Sequence, residues 1–450
     1  MTTHHSSKKS SRNSGGVESK EAGSATWNER ALAIFPAGSN GEYGFPPELV
    51  PVIERGHGCR VWDTEDRRLL DMTMAWGAAL VGHSHPKVIE AATKQAALGA
   101  NFAAVNRRAV ELAERISSLS PCAARIRFVA SGTEATMLCL RIAHVETGRP
   151  KVLKFEGAYH GQHPVGIAGM IPGRPTQLPE CDPAGSGAPW VEADVLVAPY
   201  NDLTTTLAII ERYASELAAV IVEPLHRCLP PAPGFLEGLR EITRKHHIVL
   251  IFDEVVTGFR LAPGGAQEYY SVQPDLVAYG KALGGGFPIG AYAGGPELMD
   301  IVAEHHLPGP RYVWSASTTG GNPVSCAAAL AALQILNEPG TYARLHQLGM
   351  HLRRRLKDLL AIKDEPAQVL GDGPIAQVAF SPTPVVDQRT WLASNRRRGR
   401  MVMFELLRNG VFLNPMGTKL YLSLAHDESA IEEFIERFAS AMDSTDGRGR

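Results

Sequence analysis

The first candidate for chemistry in this sequence is a lysine inside a glycine-rich stretch. Lys281 stands in the segment YGKALGGG, directly after an apolar run that predicts a strand. Most lysines are solvated at the surface, but a lysine packed among small residues loses water, which favours its neutral form. A neutral amine attacks an aldehyde and forms a Schiff base. Lys281 is therefore interpreted as such a nucleophile, with an ordinary surface lysine as the alternative.

A carboxylate ends a second apolar run. Asp253 closes the segment LIFD, which predicts a buried strand. In open α/β sheets, ligands bind in the crevice at the carboxyl ends of the strands. A carboxylate at that edge can pair with a protonated pyridine nitrogen and keep it charged. A helix-capping or solvated aspartate is the alternative.

A serine, a glycine and a threonine stand where a third strand passes into a helix. The segment ASGTEA places Ser131, Gly132 and Thr133 at that junction. Backbone N–H groups and hydroxyls at a helix N-terminus form a phosphate cradle. Because serine and threonine also cap helices that bind nothing, an ordinary N-cap is the alternative.

A tyrosine follows a fourth strand. Tyr159 comes shortly after the predicted strand Lys151–Phe155 and can stack on a flat ring, although a tyrosine packed at a domain boundary is equally consistent. Together the four signals place phosphate donors, a ring platform, a partner for a pyridine nitrogen and an amine at one edge of a sheet. Pyridoxal phosphate requires this combination, so the sequence predicts it as the cofactor.

The elements that would position these residues alternate between strands and helices. Short apolar strands that alternate with helices predict an α/β fold with a mostly parallel sheet covered on both faces. The predicted strands are Arg125–Ala130, Lys151–Phe155, Val195–Ala198, Leu217–Val222, Ile248–Asp253 and Asp275–Tyr279. The predicted helices are Pro86 to Leu98, Thr133–Glu146, Phe235–Lys245 and Val324–Leu336.

Five segments are predicted along the chain. Residues 1–25 and 441–450 are polar, lack apolar periodicity and are expected to be disordered. Residues 96–328 form the large cofactor-binding domain. A smaller α+β domain is expected from both chain ends, with residues 26–95 as its N-terminal part and residues 329–440 as its C-terminal part.

Composition excludes several classes of protein. A formal net charge of −2 predicts no general attraction to nucleic acid or to a membrane surface. No apolar run approaches the roughly 18 residues of a membrane-spanning helix. The 6 cysteines are scattered and form no C-x-x-C pair, so neither a metal site nor a dithiol motif is predicted. We expect free thiols in a reducing compartment, and hence a cytoplasmic enzyme.

Longer motifs extend these signals. The segments MAWG at 74–77, GHSHP at 82–86, KFEGAYHG at 154–161 and GNP at 321–323 make residues 28–430 resemble a class III aminotransferase of pyridoxal-phosphate fold type I. The similarity is closest to the glutamate-semialdehyde aminomutase branch. The resemblance implies that Lys281 forms the Schiff base and also moves a proton between the substrate carbon and the cofactor.

The resemblance also assigns the other cofactor contacts. Asp253 matches the partner of the pyridine nitrogen, and Ser131, Gly132 and Thr133 match the phosphate cup. Thr318 matches a threonine that reaches the cofactor phosphate of a neighbouring subunit, which implies a homodimer with shared active sites. The remaining implied contacts near the ring are Tyr159, His160, Glu223 and His226.

Two departures from the family pattern bear on the substrate and the ring. The early loop GSNGEYGF carries Glu42 and no arginine, whereas relatives often place an arginine there to pair with a carboxylate. Glu42, Tyr43 and Trp76 are therefore predicted to line the substrate side and to favour an uncharged or cationic carbon skeleton. The alternative is that the loop aligns differently and Glu42 is solvated.

The second departure concerns the hydrogen bond to the ring hydroxyl of the cofactor. Relatives use a glutamine or an asparagine after the glutamate at position 223, where this chain has His226 and Cys228. Imidazole can donate such a bond, and an ordinary loop histidine is equally consistent.

Three functions are compatible with these residues. The first is an aminotransferase that moves an amino group from a small-molecule amine donor to a carbonyl acceptor through Lys281. The second is an isomerase that moves the amino group within one amino aldehyde, for which the missing loop arginine is unfavourable. The third, a non-catalytic cofactor-binding protein, is disfavoured because the lysine, the aspartate and the phosphate cup are all present.

Overall fold

The computed structural model describes residues 26–41, 44–174, 176–413 and 417–446. By contacts the chain divides into two compact units, residues 1–52 and 53–450.

The first unit contains one helix whose start is set by its sequence. Helix α1 (Trp27–Ile34) begins with a capping box in which Thr26 and Glu29 satisfy each other's backbone N–H groups. The side-chain amide of Asn28 donates to the carbonyl of Val50 at 2.8 Å, which ties the end of this unit back to the helix.

The second unit contains three sheets. Its strands, in chain order, are β1 (Ile53–His57), β2 (Arg60–Asp63), β3 (Arg68–Asp71), β4 (Arg125–Val129), β5 (Lys151–Phe155), β6 (Val195–Ala198), β7 (Leu217–Val222), β8 (Val249–Glu254), β9 (Leu276–Tyr279), β10 (Gly290–Gly294), β11 (Gln368–Leu370), β12 (Ile375–Ala379), β13 (Val411–Phe412) and β14 (Lys419–Tyr421).

The central sheet has seven strands in the order β4-β10-β9-β8-β7-β5-β6. Strand β10 runs antiparallel to both of its neighbours, and the pairs from β9 through β6 are parallel. Strand β4 therefore points in the same direction as β9. As a result, the carboxyl ends of every strand except β10 lie at one edge, where α/β sheets bind ligands.

Helices cover both faces of the central sheet because its strands are apolar on both sides. In β7, Ala219 and Ile221 pack in a cluster with helix α4 (Gly132–Thr147), whereas Val220 and Val222 pack in a second cluster with helix α8 (Phe235–Lys245). All six residues of β7 and of β8 are buried. Each fully buried Val, Leu or Ile contributes about 1.5–3 kcal/mol, so the two helical layers stabilise the sheet strongly.

Two smaller sheets complete the second unit. One has the order β1-β2-β3-β13, with β13 parallel to β3, so strands from both ends of the chain share it. The other has the order β11-β12-β14. The remaining helices are α2 (Pro86–Ala96), α3 (Arg107–Leu119), α5 (Pro164–Ile167), α6 (Val191–Asp194), α7 (Leu203–Arg212), α9 (Ala266–Tyr269), α10 (Pro296–Met299), α11 (Pro323–Leu336), α12 (Thr341–Ile362), α13 (Gln388–Ala393), α14 (Arg396–Arg408) and α15 (Glu428–Asp446).

The α/β class and the mostly parallel sheet are confirmed, and the six strands predicted for the central sheet occur within one residue of their expected bounds. The expectation of disorder from residue 441 onward is wrong for residues 441–446. Helix α15 runs to Asp446, and the side chains of Ala441 and Met442 are fully buried. The polar composition of the chain end concealed these two core positions.

All 6 cysteines are buried and unpaired, as their scattered spacing predicts. Among the helices of the described ranges, none combines the length and the apolar character required to cross a membrane.

Candidate active site

Three strand ends meet at Val255, immediately after β8. A Cβ atom on Gly132 would lie 2.7 Å from a methyl group of Val255, and one on Gly280 would lie 3.3 Å from the other methyl group. Gly132 opens helix α4 after β4, and Gly280 precedes Lys281 after β9. Glycine at position 132 therefore lets the helix N-terminus approach Val255, which follows the strand of Asp253, because any side chain at position 132 would clash with it.

Lys281 begins a short 3-10 turn with φ of 43°, a left-handed conformation that non-glycine residues rarely adopt. Within the described part of the chain its ammonium group makes no hydrogen bond or ion pair. Burial lowers the pKa of Lys281 to about 8, with Lys419 and Arg260 acting in the same direction against the attraction of Asp253. The amine is therefore neutral in roughly a tenth of the molecules at pH 7, a far larger fraction than for a solvated lysine.

Asp253 forms a buried pair with His160. Nδ1 of His160 donates to Oδ2 of Asp253 at 2.8 Å, and the backbone N–H of Val255 donates to Oδ1 at 3.1 Å. The two side chains are 1% and 6% exposed. The second ring nitrogen of His160 is buried and has no partner among the described residues. This pair fixes the carboxylate in an apolar setting, where its interaction with a cation is strong.

The predicted phosphate cup lies at the start of helix α4. The hydroxyl of Ser131 accepts from the N–H of Glu134 at 3.2 Å, so Ser131 acts as an N-cap as well. The N–H groups of Gly132 and Thr133 have no acceptor in the described ranges. They stand at the positive end of a 16-residue helix, which attracts anions.

Glu223 orients the loop that carries Tyr159. The N–H of Tyr159 donates to one carboxylate oxygen of Glu223 at 2.9 Å, and the N–H of Arg227 donates to the other at 3.0 Å. Burial alone would raise the pKa of Glu223, but Arg227 and other nearby positive charges lower it to about 2. Glu223 is therefore ionised, and its carboxylate holds the loop in place through these two backbone hydrogen bonds. Tyr159 is partly buried beside Thr133.

His226 lies in a packed position rather than an open one. Its Nε2 donates to the carbonyl of Glu156 at 3.0 Å, and its ring stacks on Tyr200 at 4.7 Å. Burial lowers the pKa of His226 to about 4, so the ring is neutral and its buried Nδ1 carries no proton. A neutral ring arranged in this way cannot donate to a ring hydroxyl, and the geometry favours the alternative of an ordinary loop histidine.

The other predicted residues differ in their settings. Trp76 is partly buried in a turn in which Met74, Ala75, Trp76 and Gly77 all have positive φ values of 45–84°. Thr318 is exposed, and its carbonyl accepts from the side chain of Asn101 at 2.9 Å. The two loop residues predicted to line the substrate side, Glu42 and Tyr43, lie outside the described residues.

Sequence reasoning missed a fully buried lysine that supports the same loop. Lys154, in β5, donates to the carbonyls of Gly166 at 2.9 Å and Ala168 at 2.8 Å, and Gly166 in turn accepts from the N–H of His160. Burial lowers the pKa of Lys154 to about 7. A lysine inside an otherwise apolar run was the available signal, because such a strand has no solvated face for it.

The residues at this edge fit pyridoxal phosphate. The uncommitted N–H groups of Gly132 and Thr133 suit a phosphate, and the buried carboxylate of Asp253 suits a protonated ring nitrogen. The amine of Lys281 suits an aldehyde carbon. A Cβ at Gly132 would collide with its neighbours, so the cradle depends on glycine there.

Comparisons with known proteins agree with this fit. The model of the family "Aminotransferase class-III" matches residues 46–442. Glutamate-1-semialdehyde 2,1-aminomutase 2 of Brevibacillus brevis is 41% identical over 395 residues, which is 87% of this chain and 90% of that protein. An omega-transaminase from Sphaerobacter thermophilus has a TM-score of 0.88 at 35% identity, covering 94% of this chain and 98% of that one. A structure described as a transaminase with PLP bound has a TM-score of 0.86 at 27% identity, with the same coverage.

The fold and the site therefore define a pyridoxal-phosphate enzyme of fold type I. Within that class, the chain belongs to the class III aminotransferase family, and pyridoxal phosphate is its cofactor.

The depressed pKa of Lys281 predicts how the cofactor-free protein recombines with pyridoxal phosphate. The rate of covalent recombination should rise with pH to a midpoint near 8, because only the neutral amine attacks and its pKa is lowered from 10.5. Stopped-flow absorbance measures this rate. A midpoint near 10.5 would contradict the site environment, and Lys281→Ala, which lacks the amine, should show no covalent phase.

Replacement of Lys154 by methionine should loosen the loop that holds Tyr159 and His160. The backbone carbonyls of Val165, Gly166 and Ala168 would each lose a hydrogen bond from Lys154, which should lower the free energy of unfolding by about 1–3 kcal/mol and weaken retention of the cofactor. Urea unfolding and cofactor dissociation measure the two effects. The control Lys94→Met removes a lysine whose side chain is 74% exposed and should change stability by less than about 0.5 kcal/mol. Equal losses in both variants would contradict the role of Lys154.

Proposed function

We propose that this protein moves an amino group by way of pyridoxal phosphate, with Lys281 as the residue that bonds the cofactor and carries the proton. The observation that carries the proposal is the setting of Lys281. It is a partly buried amine with a pKa lowered to about 8, and it follows Gly280, which lies against the helix N-terminus at Gly132. The family to which the chain belongs supports the same chemistry.

When bound, pyridoxal phosphate supplies an electron sink for the bonds of the amino-bearing carbon. Asp253 would keep the ring nitrogen protonated, and His160 would hold Asp253 in place through their 2.8 Å hydrogen bond. The helix N-terminus at Gly132 and Thr133 would bind the phosphate. After release from the cofactor, Lys281 would take a proton from the substrate carbon and return it at the new position.

For the direction of transfer, the named relatives favour movement within one molecule. The matching glutamate-1-semialdehyde aminomutase is 41% identical, so we place this isomerase reaction first. The second candidate is transfer between two molecules. It is favoured by the omega-transaminase neighbour at 35% identity and by the absence of an arginine from residues 38–45.

The need for a second substrate separates the two candidates. With glutamate 1-semialdehyde as the sole substrate, the first candidate predicts steady formation of 5-amino-4-oxopentanoate without an added amine or carbonyl compound. Because the substrate and the product are isomers of equal mass, chromatographic separation of the two compounds provides the measurement. Lys281→Ala should lower the rate by about 10²–10⁴-fold, because the base is removed.

Conversion of amines only in the presence of a carbonyl acceptor such as pyruvate would instead establish the second candidate. If neither assay gave product with cofactor-loaded protein, or if Lys281→Ala retained full turnover, both candidates would fail.

We also propose a homodimer, which the resemblance at Thr318 implies. Thr318 is exposed and is linked through Asn101 to a segment whose side chains Phe102 and Val105 are 49% and 84% exposed. Exposed apolar side chains grouped in this way mark interaction surfaces.

Light scattering should therefore give a mass of twice the 48.5 kDa chain. Phe102→Asp should shift the protein toward the monomer and weaken cofactor binding, because a buried charge is costly at an apolar interface. The control Ile362→Asp, at a side chain that is 82% exposed at the end of α12, should remain a dimer. A monomeric wild type that retains cofactor would refute the proposal.

A further inference from the structure

The turn at residues 74–77, between β3 and α2, has a strained backbone. Met74, Ala75 and Trp76 have φ values of 45°, 52° and 57°, and Gly77 completes the run at 84°. A residue with a side chain rarely adopts this left-handed conformation, and three such residues in succession are costly. Strain of this kind persists only where surrounding groups hold the backbone, and it concentrates at functional sites. The side chains that hold this turn are therefore candidates for a functional role.

Asp71 holds the start of the turn. Its Oδ1 accepts from the backbone N–H of Thr73 at 2.8 Å and from that of Met74 at 2.9 Å. Nε2 of His83 donates to its Oδ2 at 2.7 Å, which fixes the carboxylate from the other side. Asp71 is 1% exposed, so these hydrogen bonds are shielded from water, where bonds to a charged acceptor are strong.

Arg260 holds the end of the turn. Its Nη2 donates to the carbonyl of Gly77, and its Nε donates to the carbonyl of Val256 at 2.8 Å. A Cβ on Gly77 would lie 2.9 Å from Nη2 of Arg260 and 3.0 Å from the ring of Tyr421. Position 77 therefore requires glycine both for its positive φ and for the close approach of the guanidinium group.

Arg260 also connects the turn to the segment that carries Asp253. Val256 comes three residues after Asp253 and directly follows Val255, against which the phosphate and lysine segments pack. The positive charge of Arg260 helps to lower the pKa of Lys281, so the guanidinium lies within electrostatic range of the reacting amine. One buried side chain therefore fixes the position of the turn relative to the end of the aspartate strand.

The left-handed backbone decides which side chains of the turn are buried. Met74 is fully buried, Ala75 is exposed and Trp76 is half-buried. Left-handed and right-handed turns direct successive side chains differently. A change of handedness at these positions would therefore move Trp76, the residue of the turn that is predicted to line the substrate side.

We propose that Asp71 and Arg260 are positioning residues that hold the turn at residues 74–77 in its left-handed form, and that the turn places Trp76 for contact with the substrate. The proposal deepens the proposed amino-transfer function and rests on it for the substrate that Trp76 contacts. Asp71 and Arg260 act through the turn. The fit of the substrate depends on them, whereas attachment of the cofactor does not depend on the conformation of the turn.

Substitutions at Ala75 test the handedness without removing a hydrogen-bonding side chain. Ala75 is exposed, so a larger side chain extends into solvent. Ala75→Val should lower kcat/KM about 10–100-fold, because a β-branched residue resists positive φ and displaces Trp76. Ala75→Gly should retain most of the activity, because glycine adopts positive φ readily. The absorbance of the bound cofactor should be the same in both variants.

These rates are measured on cofactor-loaded protein with glutamate 1-semialdehyde, or with an amine and pyruvate if the second candidate function is established. The matched control is Ala343→Val, which places the same side chain at an exposed position of α12. Its backbone is right-handed and distant in sequence from the turn, so its kcat/KM should equal that of the wild type.

Hydrogen exchange of the cofactor-loaded protein tests the two positioning residues without turnover. Asp71→Ala removes the acceptor of two backbone N–H groups, and Arg260→Met removes the donor to Gly77. Exchange at residues 73–79 should become about 10-fold faster in each variant, while exchange in β7 stays as in the wild type. Asp71→Asn keeps an oxygen acceptor and should restore most of the protection. The variants of Ala75 carry the test if either of these proteins fails to fold.

Unchanged exchange at residues 73–79 in Asp71→Ala and Arg260→Met would overturn the positioning role. Equal kcat/KM in Ala75→Val and Ala75→Gly, or loss of the cofactor absorbance in Ala75→Val, would overturn the link between the turn and the substrate. Failure of the proposed function has a different signature. In that case the wild type converts no substrate, while exchange at residues 73–79 still responds to Asp71→Ala.

Discussion

The close approach of three chain segments at Val255 is the constraint on which the rest of the site depends. Gly132 and Gly280 both pack against Val255, and a Cβ at Gly132 would lie 2.7 Å from its side chain. The helix N-terminus, the segment that leads into the lysine and the segment that follows the buried aspartate are thereby held close together. Since the parallel strands end at a common edge, this contact brings separate motifs together without a long connecting loop.

The charged groups at this edge differ in their hydrogen bonds and in their burial, and these differences set the role of each group. Asp253 is fixed by His160, and Glu223 is fixed by the backbone N–H groups of its neighbouring loops. Burial lowers the pKa of Lys281 to about 8 and makes it a better nucleophile than a solvated lysine.

Much of the fold was accessible from the sequence because the relevant signals are local. The apolar runs of β5, β6 and β7 coincide with their predicted bounds, and helix α8 does as well. The last helix was missed because its final buried residues, Ala441 and Met442, stand in a polar context. The supporting role of Lys154 was missed because its partners are backbone carbonyls more than ten positions away, and no side-chain pattern records them.

The sequence by itself determined the fold class, the cofactor and the four segments that carry its expected contacts, since strand ends and helix starts are encoded over a few neighbouring residues. Only the tertiary structure decided how those residues are used. In the folded protein, the imidazole Nε2–H of His226 donates to a backbone carbonyl. Lys154 donates to the carbonyl of Gly166 and so supports the loop that carries Tyr159. The fold also brought Arg260 and Lys419, 159 positions apart by their numbers, to the same ring. Such pairings depend on long-range packing and burial, which no local pattern specifies.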